Sequence, residues 1–196
     1  MKRREAVGAM AMAALTAAFK WTPAEAARAA NLAQEAITAK TPFAPAFFTP
    51  HEWETVRVLA DLVIPKDERS GSATDAGVPE YMDFMMTDRS DGQTPMRGGL
   101  AWLDNECSER FNKTFAAATP AEQTAVLDDI AWPKKARAQM SQGVAFFNMF
   151  RDMTASGFWS SKIGVTDLDY QGNTFVAEWK GCPPAALQKL GVQYED

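Results

Sequence analysis

Apolar residues along this chain recur every three or four positions, and no run of alternating apolar and polar residues is long enough to propose a sheet. The pattern predicts a mainly α fold. Trp53, Val56, Leu59, Ala60 and Val63 form one stripe, which Pro65 ends. Just upstream, Thr49-Pro50-His51-Glu52 offers a hydroxyl cap, a proline at the first helical position and a glutamate three residues after the cap, so a helix begins there. The same signature at Thr119-Pro120-Ala121-Glu122 opens a helix carrying Val126, Leu127 and Ile130, closed by Pro133. Leu100, Leu103, Cys107, Phe111, Thr114 and Phe115 make the longest stripe and predict a helix with one buried face. Shorter helices are expected from Pro79, with Tyr81, Met82 and Met85 apolar, and over residues 184–190 before Gly191. Gln142 to Ser156 carries Phe146, Met149, Phe150 and Met153, and Gly157 stands where a left-handed terminating residue belongs. Residues 66–77, rich in charge and small turn formers, read as an exposed loop, and the polar and turn residues of 88–99 as a second loop.

From Phe158 onward the period is lost but the aromatic content is kept. Such a segment packs on something. On the residues alone, wrapping over the chain's own helices is the plainer account and burial by another protein the sharper one. Phe158, Trp159, Tyr170 and Trp179 are the candidate partner interface.

The first residues, Met1-Lys2-Arg3-Arg4-Glu5, precede an uncharged, mostly apolar stretch from Ala6 to Phe19, which is a secretory leader pattern. The stretch falls short of the roughly 20 residues that cross a bilayer, so no permanent membrane span is expected. Adjacent arginines before a weakly apolar, Ala-rich segment favour the twin-arginine route, with Arg3 and Arg4 as the export signal and the periplasm as destination. Ala24-Glu25-Ala26 presents small residues where a signal peptidase reads them; Ala27-Arg28-Ala29 is a second choice. The competing account of the leader is an amphipathic helix docked on a partner. The expected organisation is a signal peptide over 1–26, an Ala-rich linker or helix over 27–44, and one helical domain over 45–196.

A chain of 196 residues suits one core. With 20 Lys and Arg against 25 Asp and Glu it carries a net charge of -5, without the basic field that nucleic acid requires. One His and two Cys leave little for a zinc site. His51, on the first turn of a capped helix, reads as a surface or capping residue rather than a base. Asp61, Asp67, Glu68, Asp75 and Asp83 lack the alternation of a calcium loop and read as solvated charge. No phosphate-binding glycine motif, nucleophile elbow or haem-attachment motif is present, so no catalytic, cofactor or metal residue is assigned in this chain. Cys107 and Cys182 form an even pair in a protein bound for an oxidising compartment, and both a disulfide and two free thiols stand open.

In order and type of feature the chain resembles the gluconate 2-dehydrogenase subunit 3 family. The likeness rests on the leader, on Phe48-Thr49-Pro50-His51-Glu52 leading to Leu59-Ala60-Asp61-Leu62-Val63-Ile64-Pro65, and on Asp75-Ala76-Gly77-Val78-Pro79-Glu80-Tyr81-Met82-Asp83. It continues through Thr119-Pro120-Ala121-Glu122-Gln123, Phe146-Phe147, Thr154-Ala155-Ser156-Gly157-Phe158-Trp159 and Tyr170-Gln171-Gly172-Asn173, spanning most of residues 45–182. The resemblance implies a small, helical, cofactor-free accessory subunit of an exported FAD-dependent dehydrogenase of the glucose-methanol-choline (GMC) type. Such an enzyme oxidises sugars or sugar acids and passes electrons to a c-type cytochrome. It also implies that the leader serves both subunits, the flavin-loaded one travelling folded. Gly164-Val165-Thr166-Asp167-Leu168 and Gly181-Cys182-Pro183-Pro184 depart from the pattern and look like a subgroup associated with glycoside or sugar 3-dehydrogenation. The alternative from another class is an independent exported helical enzyme or ligand-binding protein.

Overall fold

The computed structural model of the chain describes residues 22–39, 43–170, 177–178 and 181–194. Among these the fold is mainly α, with eight helices and no strand. The leader arginines Arg3 and Arg4 and the indole of Trp179 lie outside the described residues.

Helix α1 (Pro23–Thr38) is started by Thr22, whose hydroxyl accepts the Glu25 amide while the Glu25 carboxylate accepts the Thr22 amide. Ala29 and Ala33 give it a thin buried face, which lies along α3 (Val78–Asp88). The approach is close: a Cβ on Gly77 would sit 2.3 Å from Cδ1 of Ile37. Gly77 also has φ 76°, a left-handed conformation that glycine adopts without strain. Helix α2 (Pro50–Val63) has the capping box expected of Thr49 and Glu52, and it buries Val56, Leu59 and Ala60.

The segment 66–77 is not a freely exposed loop. Ser72, Ala73 and Ala76 are buried. Thr74 donates from its amide and hydroxyl to Asp61 at 2.8 and 2.7 Å, and the Ser72 amide donates to Asp75 at 3.1 Å. These carboxylates fold the loop back on α2: Asp61 is a half-buried structural acceptor rather than solvated charge, and Asp75 accepts within the loop while staying exposed.

Helix α4 (Ser90–Phe111) extends over the predicted loop 88–99 despite Pro95 within it. The apolar stripe begins earlier than Leu100: Met96 is fully buried four residues before it, and Gly92 and Gly99 are buried on the same side. Tertiary packing of this face outweighs the low helix propensity of glycine and proline. The helix ends at Asn112, whose φ of 53° closes it in the left-handed region. Thr114 and Phe115 therefore lie beyond the helix, although Phe115 is fully buried.

Helix α5 (Pro120–Asp128) opens with the second predicted capping box. A 3-10 turn over Ala138–Met140 leads into α6 (Ser141–Ser160), the central helix, which packs on α1, α2, α3 and α4. Gly157 does not end α6. It lies inside the helix, where a Cβ would come within 2.8 Å of the Tyr81 ring, so its service is close packing. Phe158 and Trp159 thus belong to α6, followed by α7 (Lys162–Asp167); α8 (Pro184–Leu190) ends at Gly191 as expected.

The core combines Phe115, Phe146, Phe150 and Phe158 with Met82, Met85, Met86, Met96, Met140, Met149 and Met153. Unbranched thioethers fill irregular gaps between helices that cross at varied angles.

Candidate partner-binding surface

Most clustered polar groups serve the chain's own backbone. Asp83 is fully buried and accepts the amides of Ala46, Phe47 and Phe48 at 2.8, 2.9 and 3.1 Å. It was expected to be solvated; its carboxylate instead fixes the turn before α2. Asp67 likewise accepts the amides of Ser70 and Arg69, which hold its carboxyl below the usual range.

His51 clasps two helices. Its Nε2 lies 2.5 Å from Oδ2 of Asp104 on α4, and the other Asp104 oxygen accepts the Phe115 amide at 2.9 Å. The hydrogen bond to Asp104 raises the His51 pKa above its ordinary 6.5; burial opposes the shift, and the charges of Asp104, Glu54 and Glu52 reinforce it. A raised folded-state value means that the clasp stabilises most below the unfolded-state pKa and fades as pH rises through the folded one. With half the imidazole exposed, the contribution is on the order of 0.5 kcal/mol. The stability difference between wild type and His51→Ala is expected to be largest near pH 6 and to vanish toward pH 9, measured by denaturant unfolding across that range. A difference that grows with pH would contradict the clasp.

Both cysteines are free. Cys107 is fully buried in the core, and burial, with the nearby Asp104 charge adding, pushes its thiol up to about 11. Cys182 is exposed, and its amide donates to the Tyr194 hydroxyl at 2.6 Å.

Of the proposed interface aromatics, Phe158 is 1% exposed and belongs to the core, unavailable to a partner in this structure. It stands edge-on to Trp159, ring centroids 4.9 Å apart, and so supports the indole from beneath. Trp159 is 39% and Tyr170 62% exposed; Val165 and Leu168 of the intervening segment are exposed with them. The α6–α7 corner is tightly built. Ser161 Oγ donates to the Phe158 carbonyl at 2.7 Å and accepts the Gly164 amide at 3.1 Å. A Cβ on Gly164 would fall 2.0 Å from the Phe158 carbonyl oxygen, so only glycine allows the corner. Arg69 ties the far end of α7 to the 66–77 segment, donating to the Asp167 carbonyl at 2.7 Å. Four exposed apolar side chains therefore sit on a preformed support, the arrangement that suits anchoring residues of an interface. Trp132, 62% exposed after α5, is a further large apolar side chain at the surface that the periodic pattern did not flag.

Most aromatic side chains of this helical module are buried or half-buried, whereas Trp159 and Tyr170 remain at the surface. The chain belongs to the gluconate 2-dehydrogenase subunit 3 family, whose sequence model matches residues 50–178. That family is a subunit of a dehydrogenase complex, which implies a catalytic partner. No curated protein and no solved structure matches the chain. Among the described residues no helix is long and apolar enough to cross a membrane.

Proposed function

We propose that this chain is the non-catalytic subunit that stabilises, matures and exports the FAD-dependent, GMC-type catalytic subunit of a periplasmic sugar or glycoside dehydrogenase. The observation that carries this reading is the preformed apolar surface of Trp159, Val165, Leu168 and Tyr170 on a member of a dehydrogenase subunit family. A partner covering these side chains removes their apolar area from water, while their rigid support limits the ordering cost of docking. Flavin sits in the partner, and its electrons leave to a c-type cytochrome. The Gly164–Leu168 and Gly181–Pro184 segments favour oxidation at the sugar 3-position. Arg3 and Arg4 direct the folded complex to the twin-arginine route.

The test expresses the catalytic subunit with and without this chain and measures its soluble, flavin-loaded and exported amounts. The accessory reading expects all three to fall several-fold when the chain is absent; equal yields would refute it. Arg3→Lys combined with Arg4→Lys is expected to strand both proteins inside the cell. Normal export of the catalytic subunit from that double variant would end the shared-leader part of the proposal.

A further inference from the structure

The longest stretch of the sequence without an acidic residue runs from Ile130 to Arg151 and carries four cations, in a chain of net charge -5. At its start, Trp132 to Gln139 forms a ridge. The Trp132 carbonyl accepts the amides of Lys135 and Ala136 at 2.8 and 3.0 Å, closing a turn. Buried Ile130 on one side and buried Met140 on the other pin its ends. Arg137 is tied to Asp129 at 3.1 Å, and Arg110 holds the same carboxylate at 2.8 Å. Beyond the ridge, α6 is seated on α4 through Gly143, where a Cβ would meet the Trp102 ring at 2.4 Å.

What the turn presents is one indole and two ammonium groups. Trp132 is 62% exposed, with the Lys135 ammonium 5.8 Å from its ring centroid. Lys134 and Lys135 are exposed, and neither enters an ion pair with a described residue. Concave surfaces flank the ridge: a groove of about 840 Å³ toward α4, bounded by Trp102, Asn105 and Gln142, and one of about 310 Å³ bounded by Pro133, Val144 and Asn148. Glu106, which is paired with Arg110, and Glu109 also line the larger groove, so the cations Lys134 and Lys135 belong to the ridge and not to that groove.

We infer that this ridge docks on an acidic face of the catalytic subunit, the Trp132 indole entering an apolar socket there and Lys134 and Lys135 meeting carboxylates around it. The inference rests on the accessory role proposed above and adds a second point of attachment to it. An exposed Trp with one ammonium beside its ring and a second lysine next to it in the turn is the composition of an energetic hot spot with electrostatic steering. A protein fills the grooves on both sides of the ridge, whereas a flat bilayer does not. The ridge and the Trp159–Tyr170 patch stand at opposite ends of α6, whose 20 residues span roughly 30 Å. A standard interface of about 800 Å² per partner reaches across that distance.

The test measures binding of the full chain to its catalytic subunit at low and at moderate salt. Trp132→Ala is expected to weaken binding about thirtyfold at both. Lys134→Glu with Lys135→Glu is expected to weaken it at least about tenfold at low salt and to flatten the salt dependence seen for wild type. The altered side chains are exposed, so helical circular dichroism and melting temperature are expected to match wild type, which separates lost docking from lost folding. Wild-type affinity in both variants would overturn the ridge and leave the accessory reading intact. Failure of the wild-type chain itself to bind would overturn the accessory reading and the ridge with it. Binding of wild type to phosphatidylglycerol vesicles, abolished by the double Lys→Glu change while affinity for the catalytic subunit is unchanged, would reassign the ridge to a membrane and overturn the inference.

Discussion

Asp83→Ala is expected to destabilise the fold by about 3–5 kcal/mol, seen as a lower denaturant midpoint with little change in slope. Three amides from Ala46 to Phe48 converge on this fully buried carboxylate. Removing it leaves them without acceptors where water is scarce, and hydrogen bonds to a charged acceptor are the stronger kind. The loss spreads to the aromatic cluster that the turn carries. Phe43 packs on Trp53 and Phe84 with centroids 5.4 and 5.6 Å away, and Phe47 lies beneath the Arg97 guanidinium at 4.5 Å. Asp83→Asn keeps one acceptor oxygen but turns an amide NH₂ toward the remaining donors, so about 1–2 kcal/mol is expected. Hydrogen exchange at the Phe47 and Phe48 amides should accelerate first. A cost below about 1 kcal/mol for the alanine variant would show that the turn finds other acceptors.

Gly99→Ala is expected to cost about 3 kcal/mol although alanine is the better helix former. Propensity alone favours the substitution by about 1 kcal/mol. The added methyl group, however, would lie 1.8 Å from Cδ2 and 2.1 Å from Cγ of Phe146, near the base of a ring that is 1% exposed. Neither the ring nor the methyl can step aside, so α4 and α6 must separate, and overpacking of this kind outweighs propensity. Adding Phe146→Leu should recover part of the loss if the clash is the cause. Thermal unfolding of the single and double variants measures the coupling directly. A stabilised Gly99→Ala protein would show that the two helices do not meet as described.

What could be read from the residues was local. The Thr-Pro-x-Glu signature placed the starts of α2 and α5 because a cap depends on a few adjacent groups. The same four-residue pattern at Thr22-Pro23-Ala24-Glu25 starts α1, within a stretch whose composition reads as a leader. Glu25 there also meets Arg89 at 3.1 Å, so the favoured cleavage position after Ala26 lies one residue beyond an ion-paired, capped turn. What was missed depended on distant partners. Gly99 and Gly157 looked like breakers, but Phe146 and Tyr81 make them packing positions. Asp83 looked like surface charge because the backbone amides that surround it are 35 to 37 residues away. For the candidate surface, aromatic content pointed to Trp159 and Tyr170, whereas the division between inward Phe158 and outward Trp159 followed only from how α6 turns. Trp132 carries no signal in the sequence, because a lone tryptophan in a turn breaks no pattern.

Every methionine among the described residues lies beneath the surface, distributed over α3, α4, the 3-10 turn and α6. Peroxide dissolved in the medium reaches a thioether only when the helix above it lifts, and the resulting sulfoxide is a lasting mark. Peptide mass spectrometry after timed oxidant exposure would therefore rank the helices by how often each parts from its neighbours. The interior keeps its own record of breathing, legible without any introduced label.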